Sequence, residues 1–238
     1  VCAMGIVYAQ WSARVIVEGQ LDATQVVLPG VVTSAAPGFV LPIGPVLLVF
    51  VLGAACGVLA SRRGLNAAMG EIGVSAAGLI FVTLPLSYLV RLQRLDPNGP
   101  KLLLFTLCVV WVGDTLAFFV GRAVGRHRMA PLASPHKTWE GAVANLIGAA
   151  LVAIPFAQWL PISLSHLTTA AVLASIAGQV GDLMESAWKR GAGVKDSGDL
   201  LPGHGGMLDR IDALILATPV IWWYFELIAL KRLSASPL

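Results

Sequence analysis

The stretch Leu102–Gly121, LLLFTLCVVWVGDTLAFFVG, decides the fold class, because these twenty consecutive residues contain a single charged side chain, Asp114. A bilayer core about 30 Å thick requires roughly 20 mostly apolar residues for each helical span. The rest of the chain has the same character: 57% of its 238 residues are hydrophobic and 12% are charged, with a mean hydropathy of +0.80. This composition excludes an ordinary soluble domain and predicts a polytopic helical membrane protein.

Six segments are apolar and long enough to be predicted as membrane spans. They lie at residues 44–60, 73–90, 102–121, 138–160, 168–187 and 209–230. The region before Gly44 is interrupted by three prolines and an arginine, and we expect one to three further spans there. The predicted fold is therefore an all-α, polytopic transmembrane protein. We expect a single membrane domain over residues 1–238, with N-terminal helices in 1–100 and the site-bearing helices and loops in 101–230.

Basic residues are shared unequally between two sets of loops. If the six spans alternate in direction, the loops at 61–72, 122–137 and 188–208 lie on one side and carry nine Lys and Arg residues, against five on the other side. The positive-inside rule places the first set in the cytoplasm. We therefore expect a polar cavity that opens to the cytoplasm.

Acidic residues are concentrated in segments that are otherwise apolar. Eight of the 13 Asp and Glu residues lie between Asp114 and Asp212. An acid at the bilayer centre costs roughly 2.5–3.5 kcal/mol on insertion scales, so these side chains must face one another, a water-filled cavity or bound cations. Asp182, Glu185, Ser186 and Lys189 have helical spacing and share one face. A row of polar residues with a purely structural role, hydrogen-bonded to neighbouring helices, would have the same spacing.

The motif LPGHGG at residues 201–206 lies between this polar face and a second pair of acids, Asp209 and Asp212. If the loop folds back, Asp182 and Asp209 converge, and two carboxylates in a low dielectric repel unless a cation lies between them. Mg²⁺ prefers such oxygen ligands. The glycines allow backbone amides to form a nest for an anion such as phosphate, although an ordinary turn before a helix would use the same residues.

Several cations surround this motif, which favours a highly charged ligand over an ordinary turn. They are Lys189, Arg190, Lys195 and Arg210. Within the motif, His204 is a candidate hydrogen-bond donor to a phosphate or a leaving group.

A second polar cluster lies within residues 113–141, GDTLAFFVGRAVGRHRMAPLASPHKTWEG. Asp114 and Arg122 fall on one helix face, eight residues apart. Ser134 followed by proline predicts a helix N-cap, which would place Lys137, Thr138 and Glu140 in the first turns. Helix N-termini attract phosphate. We interpret the two remaining arginines, Arg126 and Arg128, as determinants of membrane topology alone.

Residues Ser186–Asp212 resemble the signature SxxKRxxxxKDxGxxLPGHGGxxDRxD of the phosphatidate cytidylyltransferases, also called CDP-diacylglycerol synthases. The segments GDTLAFFVGRAVGRH and SPHKTWEG resemble a second block of that family, with a departure at His136, so the resemblance covers about residues 111–212. It implies the conversion of CTP and phosphatidic acid to CDP-diacylglycerol and pyrophosphate. It also implies a multi-pass homodimer in the inner (cytoplasmic) membrane, with its active site facing the cytoplasm and no nucleic-acid partner.

The resemblance further implies a Mg²⁺ cofactor with Asp182 and Asp209 as its ligands, accompanied by a monovalent cation such as K⁺. Together with the charge pattern it predicts two sets of site residues. Catalytic contacts are expected from Lys189, Arg190, Lys195, Asp196, His204 and Arg210. Substrate contacts are expected from Asp114, Arg122, Ser134, Lys137, Thr138, Glu140, Ser186, Gly205, Gly206 and Asp212.

Other functions are compatible with parts of this pattern. Charges inside membrane spans are also a feature of secondary transporters for anionic solutes, but no repeated pair of interrupted helices supports that interpretation. A CDP-alcohol phosphotransferase would carry the pattern DxxDGxxAR, which is absent from the sequence. A related enzyme that acts on an ether lipid or a polyprenol stays open.

Overall fold

The computed structural model of the protein describes residues 43–60, 68–95, 97–198 and 206–235. The chain divides into two compact units, the first ending at Arg91 and the second beginning at Leu92. The organisation as a single membrane domain stays a prediction. All the spans that we expected before Gly44 lie outside the described residues.

The first unit consists of apolar helices. Helix α1 is Ile43–Ala60, α2 is Ala68–Gly78, and α3 is Leu84–Gln93, which ends just beyond the unit boundary. A π-helical stretch, Leu79–Thr83, joins α2 to α3. Together these three pieces form one membrane-length helix, Ala68–Gln93.

Five helices in the described residues are long and apolar enough to cross a membrane. They are Ala68–Gln93, Gly99–Val124, Trp139–Trp159, Leu164–Gly191 and Leu208–Ile228. These five helices match five of the six predicted spans, with ends that differ by a few residues. The remaining span, predicted at 44–60, coincides with α1, Ile43–Ala60, and its crossing of the membrane stays a prediction.

The second unit is a bundle of four helices with a small hairpin. Its elements are α4 (Gly99–Val124), β1 (Arg128–Ala130), β2 (Ser134–Thr138), α5 (Trp139–Trp159), α6 (Leu164–Gly191) and α7 (Leu208–Ala235). Each helix packs against the next in the chain, and α4 also contacts α6 and α7. The packing is antiparallel: the ring of Phe105, early in α4, lies 5.2 Å from that of Phe156, late in α5. In the same way, His166 near the start of α6 bonds Tyr224 late in α7, at 2.9 Å.

Antiparallel packing places the C-terminal ends of α4 and α6 beside the N-terminal ends of α5 and α7. We call this the polar end of the bundle. Buried small residues separate the helices, among them Ala149, Ala153, Ala170, Ala174, Ala213 and Ala217. Small side chains let helix backbones approach closely where hydrophobic exclusion from water cannot drive association. Large apolar side chains such as Phe119, Ile147 and Val180 face outward, which suits a lipid-facing surface.

The described residues are mostly helical, as the predicted all-α class requires, but the connection between α4 and α5 contains two short strands that were not predicted. Strands β1 and β2 pair in an antiparallel hairpin, with Arg128 opposite Thr138 and Ala130 opposite Ser134. The Arg128 guanidinium also donates a hydrogen bond to the carbonyl oxygen of Pro135. This short sheet closes the polar end and contacts α4, α5 and α6.

The predicted helix start at Ser134 is wrong by four residues. Ser134, Pro135 and Lys137 belong to β2, and the N-cap of α5 is Thr138, whose side chain accepts a hydrogen bond from the backbone N–H of Gly141 at 3.2 Å. The residue before a proline is extended in an N-cap and in a strand alike; here Ser134 pairs with Ala130 in the hairpin, and Thr138 satisfies a free amide of the first turn instead. Glu140 does lie in the first turn, as predicted.

Candidate active site

The polar end of the second unit encloses a cavity of about 750 Å³, within the usual range of small-molecule sites. Its walls come from α4, the hairpin, α5, α6 and α7. Four acids line it: Asp114, Asp182, Asp209 and Asp212. Four basic residues line it as well: Arg122, Arg126, Arg128 and Lys137. The acids lie on the membrane helices, whereas the basic residues come from the end of α4 and from the hairpin segment.

Three of the acids lie close together around Asp182 on α6. Asp182 and Asp212 are close enough to interact directly, and Asp114 on α4 is near enough to Asp182 for electrostatic repulsion. The ammonium group of Lys137 forms an ion pair with Asp182. Such a cluster of carboxyl groups attracts a further cation.

The chemistry of this cluster fits a hard divalent ion. Mg²⁺ is usually held by one or two carboxylates, with water and substrate phosphates as its remaining ligands, and Asp182 and Asp212 offer such a pair. Within the described ranges, no group of three or more His, Cys, Asp or Glu side chains is arranged to hold a metal on its own. An ion bound here would therefore complete its coordination with water or phosphate oxygens.

Asp209 has a different set of contacts. One of its oxygens lies 2.5 Å from Nζ of Lys189, which also lies 2.6 Å from the buried carboxylate of Glu185. The other oxygen accepts hydrogen bonds from the backbone N–H of Ser197 at 2.9 Å, from its hydroxyl at 2.8 Å and from the N–H of Gly206 at 2.8 Å. Asp209 thus holds Ser197 and Gly206 together, besides lining the cavity. Its role as a metal ligand with Asp182 stays a prediction.

The remaining predicted residues divide by location. Ser186 and Arg190 lie in the last turns of α6, Lys195 and Asp196 are exposed after it, and Arg210 is in the first turn of α7. Arg190 donates to the carbonyl oxygen of Val194 at 3.3 Å. None of these five is among the cavity-lining residues in the described part of the chain. His204 and Gly205 lie outside the described residues.

Ser134, in β2, and Glu140, in the first turn of α5, are not among the cavity-lining residues in the described part of the chain. The carboxylate of Glu140 accepts hydrogen bonds from the backbone N–H of His127 at 3.3 Å and lies 2.7 Å from its Nδ1. Glu140 thereby joins the start of α5 to the segment before β1. By contrast, Lys137 and Thr138 do line the cavity.

The sequence analysis missed several residues of the site. Arg126 and Arg128 were assigned to membrane topology, yet both line the cavity. Asn145 and Gln179, which also line it, were passed over inside apolar spans. Polar side chains within a span are a recognisable signal of function or of helix pairing. Whether Asn145 and Gln179 lie on the same side as the acids depends on how the helices pack against one another.

The bundle is that of a multi-pass membrane protein, with a cavity lined by acidic and basic side chains. Residues 12–228 match the model of the Cytidylyltransferase family, and the chain belongs to this family.

Curated relatives carry the name phosphatidate cytidylyltransferase. That of Bacillus subtilis (strain 168) is 36% identical over 159 residues, covering 66% of this chain and 59% of the relative. That of Brucella abortus (strain 9-941) is 41% identical over 165 residues, covering 66% and 58%. That of Haemophilus influenzae is 42% identical over 137 residues, covering 55% and 48%. The chain spans about half to three fifths of the length of these relatives.

Proposed function

We propose that this chain is a phosphatidate cytidylyltransferase, which converts CTP and phosphatidic acid to CDP-diacylglycerol and pyrophosphate. Family membership and the names of the relatives support this activity. The observation that carries it is the cavity, where acids from three membrane helices face basic residues from the hairpin side. A nucleoside triphosphate and a lipid phosphate are both anions, and such a cavity suits their joint binding.

The chemistry requires little proton transfer. A phosphate oxygen of phosphatidic acid, already ionised near neutral pH, attacks the α-phosphorus of CTP, and the bond to the β-phosphate oxygen breaks. Pyrophosphate leaves with the electron pair of that bond. Catalysis must therefore bring two anions together and stabilise charge on the departing group.

The basic residues of the cavity are suited to these tasks. Arg122, Arg126 and Arg128 present guanidinium groups, which bind phosphate oxygens in a planar, two-pronged geometry. Lys137, in the hairpin like Arg128, reaches the acids and forms an ion pair with Asp182. We assign these four side chains to the phosphates of the two substrates.

The acids are suited to a cation that accompanies the nucleotide. We propose that Asp182 and Asp209 hold Mg²⁺, with Asp212 beside them and a monovalent cation such as K⁺ nearby. A bound Mg²⁺ would offset phosphate charge and stabilise the leaving pyrophosphate. The protein's own part is to hold these carboxylates in a bundle that limits access of water.

The protein's setting is part of the same proposal. We place the chain in the inner (cytoplasmic) membrane as a homodimer, with the polar end toward the cytoplasm, where CTP is available. The basic residues near that end, including Arg126, Arg128, Lys189 and Arg190, support this orientation.

The activity is tested with the purified chain in detergent micelles, Mg²⁺, phosphatidic acid and CTP labelled at its α-phosphate. We expect labelled CDP-diacylglycerol and an equal amount of pyrophosphate, with none formed when phosphatidic acid is omitted. Product from an ether-linked lipid or a polyprenyl phosphate, but not from phosphatidic acid, would assign a related activity instead. Uptake of an anion into proteoliposomes without any product would favour a transporter.

A further inference from the structure

A chain of polar side chains crosses three helices and ends at Asp114. The amide of Gln179 on α6 donates to the hydroxyl of Ser175 at 3.4 Å. That hydroxyl donates to Oδ1 of Asn145 on α5 at 2.5 Å, and Nδ2 of Asn145 donates to Oδ1 of Asp114 on α4 at 3.0 Å. Asn145 and Ser175 are each only 4% exposed.

The order of donors in this chain follows from the chemistry of its members. A carboxylate only accepts hydrogen bonds, so the amide nitrogen of Asn145 must face Asp114 and its oxygen must face Ser175. The Ser175 hydroxyl holds the amide in that orientation, because a flipped amide would place its NH₂ against Ser175 and its oxygen against a carboxylate. Leaving buried polar groups unmatched in this way destabilises the structure.

Helix α4 leaves room for this amide at one position. A Cβ atom at Gly113 would lie 2.6 Å from Oδ1 of Asn145, so a larger residue there would push the amide away. Gly113 leaves space for the Asn145 side chain, and the next residue, Asp114, accepts a hydrogen bond from its amide.

The chain ends on a carboxylate that lines the cavity beside Asp182. Lys137 pairs with Asp182 and offsets its charge, whereas a neutral amide fixes Asp114 without offsetting any charge. Asp114 is thereby oriented by a neutral partner, which leaves its charge to be offset by a ligand. A hydrogen bond that served only to join helices would not need to end on a cavity-lining acid.

We propose that Asn145, oriented by Ser175, is a positioning residue that holds the Asp114 carboxylate toward a divalent cation bound in the cavity, where the nucleotide phosphates would join it. This inference deepens the proposed function and rests on it. Asn145 acts through Asp114 and not by contact with the reacting atoms.

The test uses Mn²⁺, which prefers the same oxygen ligands as Mg²⁺, bound to the purified full chain without CTP or lipid and followed by its paramagnetic resonance. Three variants form a cycle: Asn145→Ala, Asp114→Asn and the double variant. We expect Asn145→Ala to weaken Mn²⁺ binding about tenfold, as removal of a ligand's supporting partner does, and Asp114→Asn to weaken it at least as much. The double variant should bind like Asp114→Asn alone.

Two results would overturn the inference. One is Mn²⁺ binding by Asn145→Ala that equals the wild type. The other is a double variant whose loss equals the product of the two single losses, because Asn145 would then act independently of Asp114.

Further variants guard against loss of folding. Ser175→Ala removes one hydroxyl and should weaken Mn²⁺ binding about two- to tenfold, the equivalent of one hydrogen bond. Gly113→Ala should weaken binding because its Cβ displaces the Asn145 amide. Gly191→Ala at the end of α6 is the glycine-to-alanine control, since its Cβ would meet nothing within 4 Å, and its Mn²⁺ affinity should stay at the wild-type value. Equal losses in both glycine variants, or none in Ser175→Ala, would contradict the proposal.

Turnover measurements separate this inference from the proposed function. In Asn145→Ala the Mg²⁺ concentration for half-maximal rate should rise about tenfold, while the KM for CTP at saturating Mg²⁺ stays within about twofold. If the wild type binds Mn²⁺ and the cycle is non-additive, but no CDP-diacylglycerol forms, the proposed function fails and this inference stands. If product forms but the wild type binds no Mn²⁺ or the cycle is additive, this inference alone fails.

Discussion

Asp182 lies where the acidic and basic parts of the cavity meet. It pairs with Lys137 from the hairpin and adjoins Asp114 and Asp212 from two other helices. Within the described residues, Asp182 is the cavity-lining acid that forms an ion pair with a lysine of the hairpin. Asp182 is therefore the residue at which loss of charge should affect the site most.

We predict that Asp182→Asn lowers the rate of pyrophosphate release by about 100-fold or more, the scale of losing one oriented electrostatic contact. The amide keeps the volume of the side chain, so the unfolding temperature in micelles should change little. Glu226→Gln on α7, an acid-to-amide change away from the cavity lining, is the control and should retain its rate. A wild-type rate in Asp182→Asn would show that the Asp182 carboxylate has no part in the reaction.

Lys189 has a structural role that the sequence pattern did not reveal. Its side chain is 16% exposed and lies between Glu185, which is 3% exposed, and Asp209, which is 12% exposed. Removing one partner of a buried ion pair leaves a charge without compensation, at a cost of about 3–5 kcal/mol.

We predict that Lys189→Met, which keeps the length of the side chain, lowers the free energy of unfolding by about 3 kcal/mol. The double variant Lys189→Met/Glu185→Gln should recover much of this loss, because it also removes the stranded buried charge. Reversible unfolding in mixed micelles measures both. Wild-type stability in the single variant would show that Lys189 serves the ligand alone.

At the scale of elements, the hairpin is held against α4 by tight packing around Thr138. A Cβ at Gly125, just after α4, would lie 2.7 Å from Oγ1 and 2.8 Å from Cγ2 of Thr138 and would also meet the carbonyl oxygen of Gly121. The hairpin can fold back at this point because Gly125 has no side chain. Thr138 then caps α5, and its neighbour Lys137 reaches Asp182.

We predict that Gly125→Ala destabilises the protein by about 1–3 kcal/mol, the usual cost of overpacking. Turnover should fall as well, because displacement of β2 moves Lys137. The matched control is Gly191→Ala at the end of α6, where an added Cβ meets nothing within 4 Å. Equal unfolding temperatures for the two variants would show that the hairpin has no need of this close approach.

The membrane-length helices of the second unit could be predicted from the sequence, but the hairpin could not. Each helix is a long apolar run, and length alone indicates a span. Residues 128–138 form a short, partly polar segment. Within it, Ser134 before proline suits either a helix cap or an extended strand. The pairing of Arg128 with Thr138 decided for the strand.

At the scale of the whole molecule, antiparallel packing of α4 to α7 brings distant acids to one end of the bundle. Asp114 and Asp212 are separated by most of the second unit in sequence, yet both adjoin Asp182. The hairpin lies at this end, and the short connection between α5 and α6 lies at the opposite end.

We predict that these two ends face opposite sides of the membrane. In a chain whose natural cysteines are replaced by alanine, Leu132→Cys in the hairpin, where Leu132 is 95% exposed, should react with a membrane-impermeant maleimide only from the cytoplasmic face. Ser163→Cys, between α5 and α6, is the matched control and should react only from the other face. Labelling of both cysteines from one face would contradict the antiparallel bundle.

The membrane character, most of the spans and the kind of chemistry follow from the amino-acid sequence, because hydropathy and residue type are local properties that add along the chain. Which charges meet follows from the packing of the helices. Packing places Asp182 beside Lys137, Asp114 and Asp212. It pairs Asp209 with Lys189 and with the loop before α7, and it brings Arg126 and Arg128 to the cavity lining. Such contacts depend on the rotation and depth of each helix against its neighbours. These are set by packing among several helices at once, and the periodicity of a single helix does not encode them.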